Sequence, residues 1–260
     1  VVFVISELVC VACVPERPVD CNEKPGKISD MFKALFKNDQ AMTVVVSIIL
    51  VYTSLNICGN LVLYFFRFDV GNEGAYSIFA AVAFAAQVLV MMAIPLLRKR
   101  FSKSQLFISG FIIQIAGFAV ILIMAFAKLY TPQSWYILCL PGILIYLGYG
   151  MLNVIMTIFL SDSVDYGEVM NGTREESVIF SMQTFTVKLA SGVAVFLAGL
   201  VVDWIHLDTA AAVQTQDTLD ALRMWMTIPS VILLIVGIFV FKRFYKLDDT
   251  RMEEIKSKLN

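Results

Sequence analysis

Residues 178–202 read VIFSMQTFTVKLASGVAVFLAGLVV, and Lys188 is the only ionisable side chain in the run. About 20 such residues suffice for a helix to cross a hydrocarbon core of roughly 30 Å. Lys188 lies ten residues beyond Val178, which is about 15 Å along a helix axis and therefore near the bilayer centre. Left to lipid, an ammonium at that depth costs about 2.5–3.5 kcal/mol. Snorkelling along the side-chain stem works near helix ends, not at mid-depth. The lysine must therefore face a protein interior or a wet cavity and find a carboxylate, or else be neutral.

Working outward, composition extends the same argument to the whole chain. Hydrophobic residues make up 59% and charged residues 16% of the 260 positions, against roughly 45–50% and about 25% in soluble globular proteins. Six apolar spans are expected, at about 41–66, 75–97, 105–127, 135–160, 177–202 and 222–241. They define an all-α membrane protein. A polar linker (15–40) precedes them, and a charged tail (242–260), read as a short helix, follows. Counted over alternate loops, 16 of the 20 lysines and arginines fall on one side, in the linker, the Arg98–Lys103 loop, Arg174 and the tail. The other side receives Arg67, Lys128 and Arg223. The positive-inside rule then puts linker and tail in the cytoplasm of a cell membrane.

Several function classes are excluded. There is no basic stripe of the kind that neutralises nucleic-acid phosphates. Cys58 and Cys139 lie in apolar runs and read as small hydrophobes. The Cys10–Cys13 spacing has no second pair, and His206 is the one histidine, so no metal ligand set is expected within the chain. No His/Asp/Ser constellation at membrane depth supports an intramembrane enzyme.

The opening segment, VVFVISELVCVACV (1–14), is apolar but spans only about 21 Å as a helix, and it lacks the basic region of a signal peptide. It is expected to be the end of a sixth helix, belonging to an N-terminal half that lies outside the chain. None of the 21 acidic residues falls within the six expected spans, and only Glu7 could reach membrane depth. The counter-charge of Lys188 is therefore expected in that other half. Neutrality, or a lysine that merely fixes helix packing, are the alternatives.

Polar residues recur on single helix faces. Ser181, Thr184, Lys188 and Ser191 share one side of the fifth span, with Gln183 nearer the opposite flank. Tyr52, Asn56, Asn60 and Tyr64 step by four along the first span, and Tyr146, Tyr149 and Asn153 line the fourth. Amides and phenols with aromatic faces suit a polyhydroxylated ligand, although each stripe could also be hydrogen-bonding glue between helices. Tyr52-Thr-Ser-Leu-Asn56 and Tyr149-Gly-Met-Leu-Asn153 are matching strings in the first and fourth spans. They suggest a 3+3 inverted repeat, as in each half of a major facilitator. The segment SDSVDYGEVMNGTREES (161–177) carries five acids. It is read either as a solvated turn or as a cytoplasmic gate whose ion pairs break during transport.

That segment also carries a resemblance. Asp162–Glu168 (DSVDYGE), Thr173–Glu176 (TREE) and Ser181–Lys188 (SMQTFTVK) resemble the tenth-to-eleventh helix region of glycoside–pentoside–hexuronide:cation symporters, the melibiose permease family of the major facilitator superfamily. The resemblance is tight over about 45 residues and follows span order over the whole chain. It implies a twelve-helix protein, of which these spans are the C-terminal six, coupling sugar uptake to Na⁺, Li⁺ or H⁺. It also implies a carboxylate-based cation site mainly in the N-terminal half, near a lysine that matches Lys188. The substrate cavity would include Tyr52, Asn56, Asn60, Tyr149, Asn153, Gln183 and Thr184. The gate would include Asp162, Asp165, Tyr166, Gly167, Glu168 and Arg174. Melibiose-type members carry a tryptophan where this chain has Asn153, a departure that bears on galactoside specificity. The expected function is cation-coupled sugar or glycoside symport by alternating access, with no cofactor beyond the coupling cation. Its expected partners are the bilayer, the sugar and the N-terminal half. The alternatives are a non-transporting membrane fragment and a relative carrying a lysolipid.

Overall fold

The computed structural model describes residues 36–172, 176–211 and 213–259, together with Val4, Val9 and Cys13 as isolated helical positions. Otherwise the expectations for residues 1–14, for the linker through residue 35 and for Arg174 lie outside the described residues.

Each helix begins and ends for local reasons. α1 (Asp39–Tyr64) starts at Asn38, whose side-chain oxygen accepts from the Ala41 amide at 2.9 Å, satisfying one of the orphan donors of a helix start. It continues through a π turn at Phe65–Asp69. α2 (Ala75–Leu97) coincides with its expected span. α3 (Lys103–Phe126) opens with a reciprocal capping box between Ser102 and Gln105. A 3₁₀ turn at Trp135–Leu138 leads into α4 (Cys139–Asn171), which is closed by Gly172 at φ 72°, a conformation glycine adopts without steric cost. α5 spans Glu176–Trp204 and α6 Gln216–Phe244, the latter capped by Thr215. α7 (Asp249–Leu259) ends the described chain. Helices α1 to α6, the first extended by its π turn and the fourth led by its 3₁₀ turn, are long and apolar enough to cross a membrane.

Packing organises these six into two interlocked units. α1 lies against α5 and α6, and α4 lies against α2 and α3; α1 also meets α4, and α3 meets α6. Exchanging the unit α1–α2–α3 for the unit α4–α5–α6 maps this pattern onto itself, as an inverted repeat requires. The α3–α4 crossing is tight because a Cβ on Gly148 would sit 2.5 Å from the Gly110 carbonyl oxygen. On α5, Thr186, Ala190, Ala194 and Ala198 recur every fourth residue as the buried stripe, and α1 is the helix that α5 packs against most extensively. Small side chains there let the backbones approach. At the end where α1 begins, Phe107, Phe159, Phe241 and Tyr245 join α3, α4 and α6, with ring centroids 4.4–5.2 Å apart.

Two expectations need correction, and a third gains detail. Residues 161–171 are not a turn: α4 runs straight through them, because Asp162, Ser163, Val164 and Gly167 are buried on neighbouring elements. The last span begins at Gln216 rather than Leu222, so Arg223 sits two turns inside a helix and is 3% exposed. The tail does form the expected short helix, α7, and it is packed as well as charged. Leu247, Met252 and Ile255 are buried against Tyr166, Val169 and Tyr245, which docks α7 onto the end of α4.

A polar seam and its charged ends

The two matching strings meet. The Asn153 side-chain amide donates to the Tyr52 hydroxyl at 2.6 Å, and the Tyr52 and Tyr149 rings pack edge-on with centroids 5.5 Å apart. Tyr146 stacks edge-on behind Tyr149 at 6.5 Å. From this crossing the two stripes run in opposite directions. On α1, the Asn56 amide donates to the Tyr52 carbonyl and the Asn60 amide to the Asn56 carbonyl, both at 2.7 Å. Their amide oxygens have no hydrogen-bond partner among the described residues.

Each stripe opens into a cavity walled by α5. Asn153, Thr157, Ser161 and Phe180 border one of about 430 Å³, toward the α4 C-terminus. Asn60, Tyr64, Val195 and Asp203 border another of about 350 Å³, toward the α1 C-terminus. Gln183 joins the first wall, its amide donating to the Thr157 hydroxyl at 3.3 Å. Thr184 is exposed, and its hydroxyl donates back to the Phe180 carbonyl at 3.3 Å. The expected cavity residues therefore do not converge on one pocket: Asn153 borders the first cavity and Asn60 the second, with Tyr52 and Tyr149 at the crossing of the two stripes. Thr157, Ser161 and Asp203 were not among the expected residues. Thr157 and Ser161 continue the Tyr149–Asn153 step of four, in the same register as Asn60 and Tyr64 on α1, so the repeat itself carried the signal.

Lys188 lies on α5 between Phe180 and Val195, exposed, with no ion-pair partner among the described residues. It is two positions from buried Ala190, about 200° around the helix. Its ammonium therefore faces away from the α1 contact.

Charge is instead buried at the two ends of the bundle. At the C-terminal end of α1, Asp69 receives both the Nε (2.8 Å) and the Nη2 of Arg223, and the Tyr130 hydroxyl donates to it at 2.7 Å. Arg223 Nη1 also donates to Asp220 at 2.7 Å. Burial and the adjacent Asp69 charge push the Tyr130 phenol far above its ordinary range. The census that placed every acid outside the spans is thus corrected for Asp69, whose helix extends one π turn further than expected.

At the opposite end, Lys103 of α3 pairs with Asp162 of α4, both nearly fully buried, and reaches Asp249 of α7 at 3.4 Å. Arg98 contacts the same Asp249 oxygen at 3.4 Å. Burial works to raise the Asp249 pKa, but the Arg98 hydrogen bond and the Lys103 and Arg98 charges outweigh it and hold the carboxyl below its ordinary range. Asp162, read as a gate residue, is therefore engaged within this chain. Tyr166 packs on α7, and Gly167 backs onto Asn38, whose amide donates to the Ser163 carbonyl at 2.8 Å. Asp165 and Glu168 are half-buried on the same turns.

A six-span helical bundle with inverted-repeat packing and a polar seam between α1 and α4 defines a transporter of major facilitator type. The sequence profile of the MFS/sugar transport protein family matches residues 4–249. The chain belongs to that family, whose members of this kind are glycoside–pentoside–hexuronide:cation symporter-like transporters and not enzymes. It is 25% identical over 90% of its length to an uncharacterized symporter of Bacillus subtilis, covering 49% of that protein. It is 23% identical over 94% of its length to the raffinose carrier protein of Pediococcus pentosaceus, covering 38% of it. It is also 24% identical over 87% of its length to the isoprimeverose transporter of Lactiplantibacillus pentosus, covering 46% of it. The chain spans about half or less of the length of these relatives.

Proposed function

We propose that this chain is the C-terminal six-helix half of a cation-coupled sugar symporter that works by alternating access in the cell membrane. The observation that carries this reading is the pair of in-register polar stripes, which cross at Tyr52–Asn153 and open toward opposite ends of the bundle. A sugar moving between the halves would find amide and hydroxyl partners at both depths and aromatic faces at the crossing. Lys188, exposed on the wall shared by both cavities, would pair with carboxylates of the N-terminal half. Na⁺, Li⁺ or H⁺ binding would compete with that pair. The 16-to-3 distribution of basic residues supports a cytoplasmic side for the Arg98–Lys103 loop and the tail. The end cluster of Arg98, Lys103, Asp162 and Asp249 would close the cytoplasmic mouth.

The test is sugar uptake by the full-length protein carrying Thr157→Val or Asn60→Leu, one change in each stripe. Loss of a neutral hydrogen bond is worth about 1 kcal/mol, so each change is expected to raise the half-saturating sugar concentration about 5-fold. Unchanged uptake kinetics in both variants would remove the stripes from the account.

A further inference from the structure

The two repeat units leave two lipid-facing crevices, because α2 and α3 do not close on each other and neither do α5 and α6. The crevice over α1 is lined by Leu197, Met224, Ile228 and Ile232 and is apolar throughout. Its counterpart over α4 is different. Gln105, Ser109 and Ile113 follow one another every fourth residue along α3, with Phe101 just ahead of the helix, Leu97 of α2 opposite and Met151 of α4 beneath, around about 500 Å³. From Gln105 to Ile113 this line runs roughly 12 Å down the helix, and its polar members, Gln105 and Ser109, lie nearer the start of α3. The turn between the lining residues Leu97 and Phe101 carries Lys99 and Arg100, both exposed and without an ion pair among the described residues. Arg98 and Lys103, which flank them in sequence, are already held by Asp249 and Asp162. The Gln105 amide oxygen accepts from the Ser102 backbone, so its amide nitrogen is the group left to donate.

We propose that this α2–α3 crevice is a binding site for an anionic phospholipid, with the phosphate at Lys99 and Arg100 and one acyl chain laid along Ser109, Ile113 and Met151. The occupant's chemistry follows the gradient of the lining: two unpaired cations at the interface, amide and hydroxyl groups at glycerol depth, and only apolar atoms below. Basic groups at a membrane surface attract anionic lipid. A tail alone would be served equally well by the apolar crevice over α1. The charge at the rim is what selects the headgroup.

The test places the chain in phosphatidylcholine nanodiscs doped with a trace of diazirine-acyl phosphatidylglycerol or, separately, diazirine-acyl phosphatidylcholine, and maps the photolabels by mass spectrometry. The expected result is about 10-fold more labelling around Ile113 and Met151 by the glycerol probe than by the choline probe. The double variant Lys99→Gln/Arg100→Gln should abolish the preference, and Lys242→Gln/Arg243→Gln, which removes two basic charges from the same side, should retain it. Ser109→Trp, filling the crevice, should lower labelling at Met151 with either probe. Equal labelling by the two probes, an equal effect of the two charge-removing variants, or full labelling of Met151 in Ser109→Trp would each overturn the proposal.

Discussion

At Lys188 the sequence and the structure meet on one point of electrostatics. Neither Asp69 nor Asp162, the two acids with buried side chains among the described residues, approaches it; each is engaged by a cation of its own end of the bundle. Arg223 shows how this protein treats a buried charge: two carboxylates receive three of its nitrogens, and Tyr130 satisfies a further lone pair of Asp69. Removing one member of such a pair leaves an uncompensated ion, a loss of about 3–5 kcal/mol. Arg223→Met is therefore expected to lower the unfolding midpoint sharply. Arg223→Met with Asp69→Asn, which removes both charges, should recover much of the loss. Thermal unfolding in one detergent compares the variants directly, and equal destabilisation of single and double variants would show that the charge pair is not what holds that end. The sequence hid this pair because Arg223 lay at the edge of an expected span and Asp69 lay past the end of another. The Thr215 cap, with Asp217, Asp220 and Arg223 at three-residue steps, was the available signal for an earlier helix start.

Among the elements, α4 departs furthest from its expected limits. A run with five acids reads as a solvated turn, yet Asp162 is neutralised by Lys103 and the following turns are covered by α7. Local composition could not reveal this, because the partners come from residues about 60 and 90 positions away in sequence. Docking of α7 combines the burial of Leu247, Met252 and Ile255 with the contacts of Asp249 to Arg98 and Lys103. Since the folded-state pKa of Asp249 is lowered from 3.8, its contribution is fully present above that value. It is lost as pH falls through the lowered folded-state value. Asp249→Asn should remove the contribution at neutral pH. Limited trypsin digestion after Arg251 should accordingly be faster in Asp249→Asn than in the parent at pH 7. Equal rates would mean that apolar packing alone holds the tail.

At the scale of the whole molecule, the six-span, all-α architecture was legible from apolar run length, and the alternation of basic loops suggested its orientation. The five-residue repeat between the first and fourth spans was also legible and pointed to a 3+3 inverted repeat, but the contact between its two strings was not. Only packing could bring Tyr52 of one string onto Asn153 of the other, because that contact joins residues 101 positions apart. Once the strings are superposed, the stripes Tyr52–Asn56–Asn60–Tyr64 and Tyr149–Asn153–Thr157–Ser161 become two halves of one track. α5, with its small-residue stripe turned to α1, leaves Lys188 facing outward beside that track. The central claim is that Lys188 couples movement along the track to a cation by pairing with carboxylates of the N-terminal half. The most direct measurement is sugar accumulation against a concentration gradient by the full-length protein carrying Lys188→Ala. The account predicts that accumulation is abolished while the protein still reaches the membrane; accumulation at the parent level would contradict it.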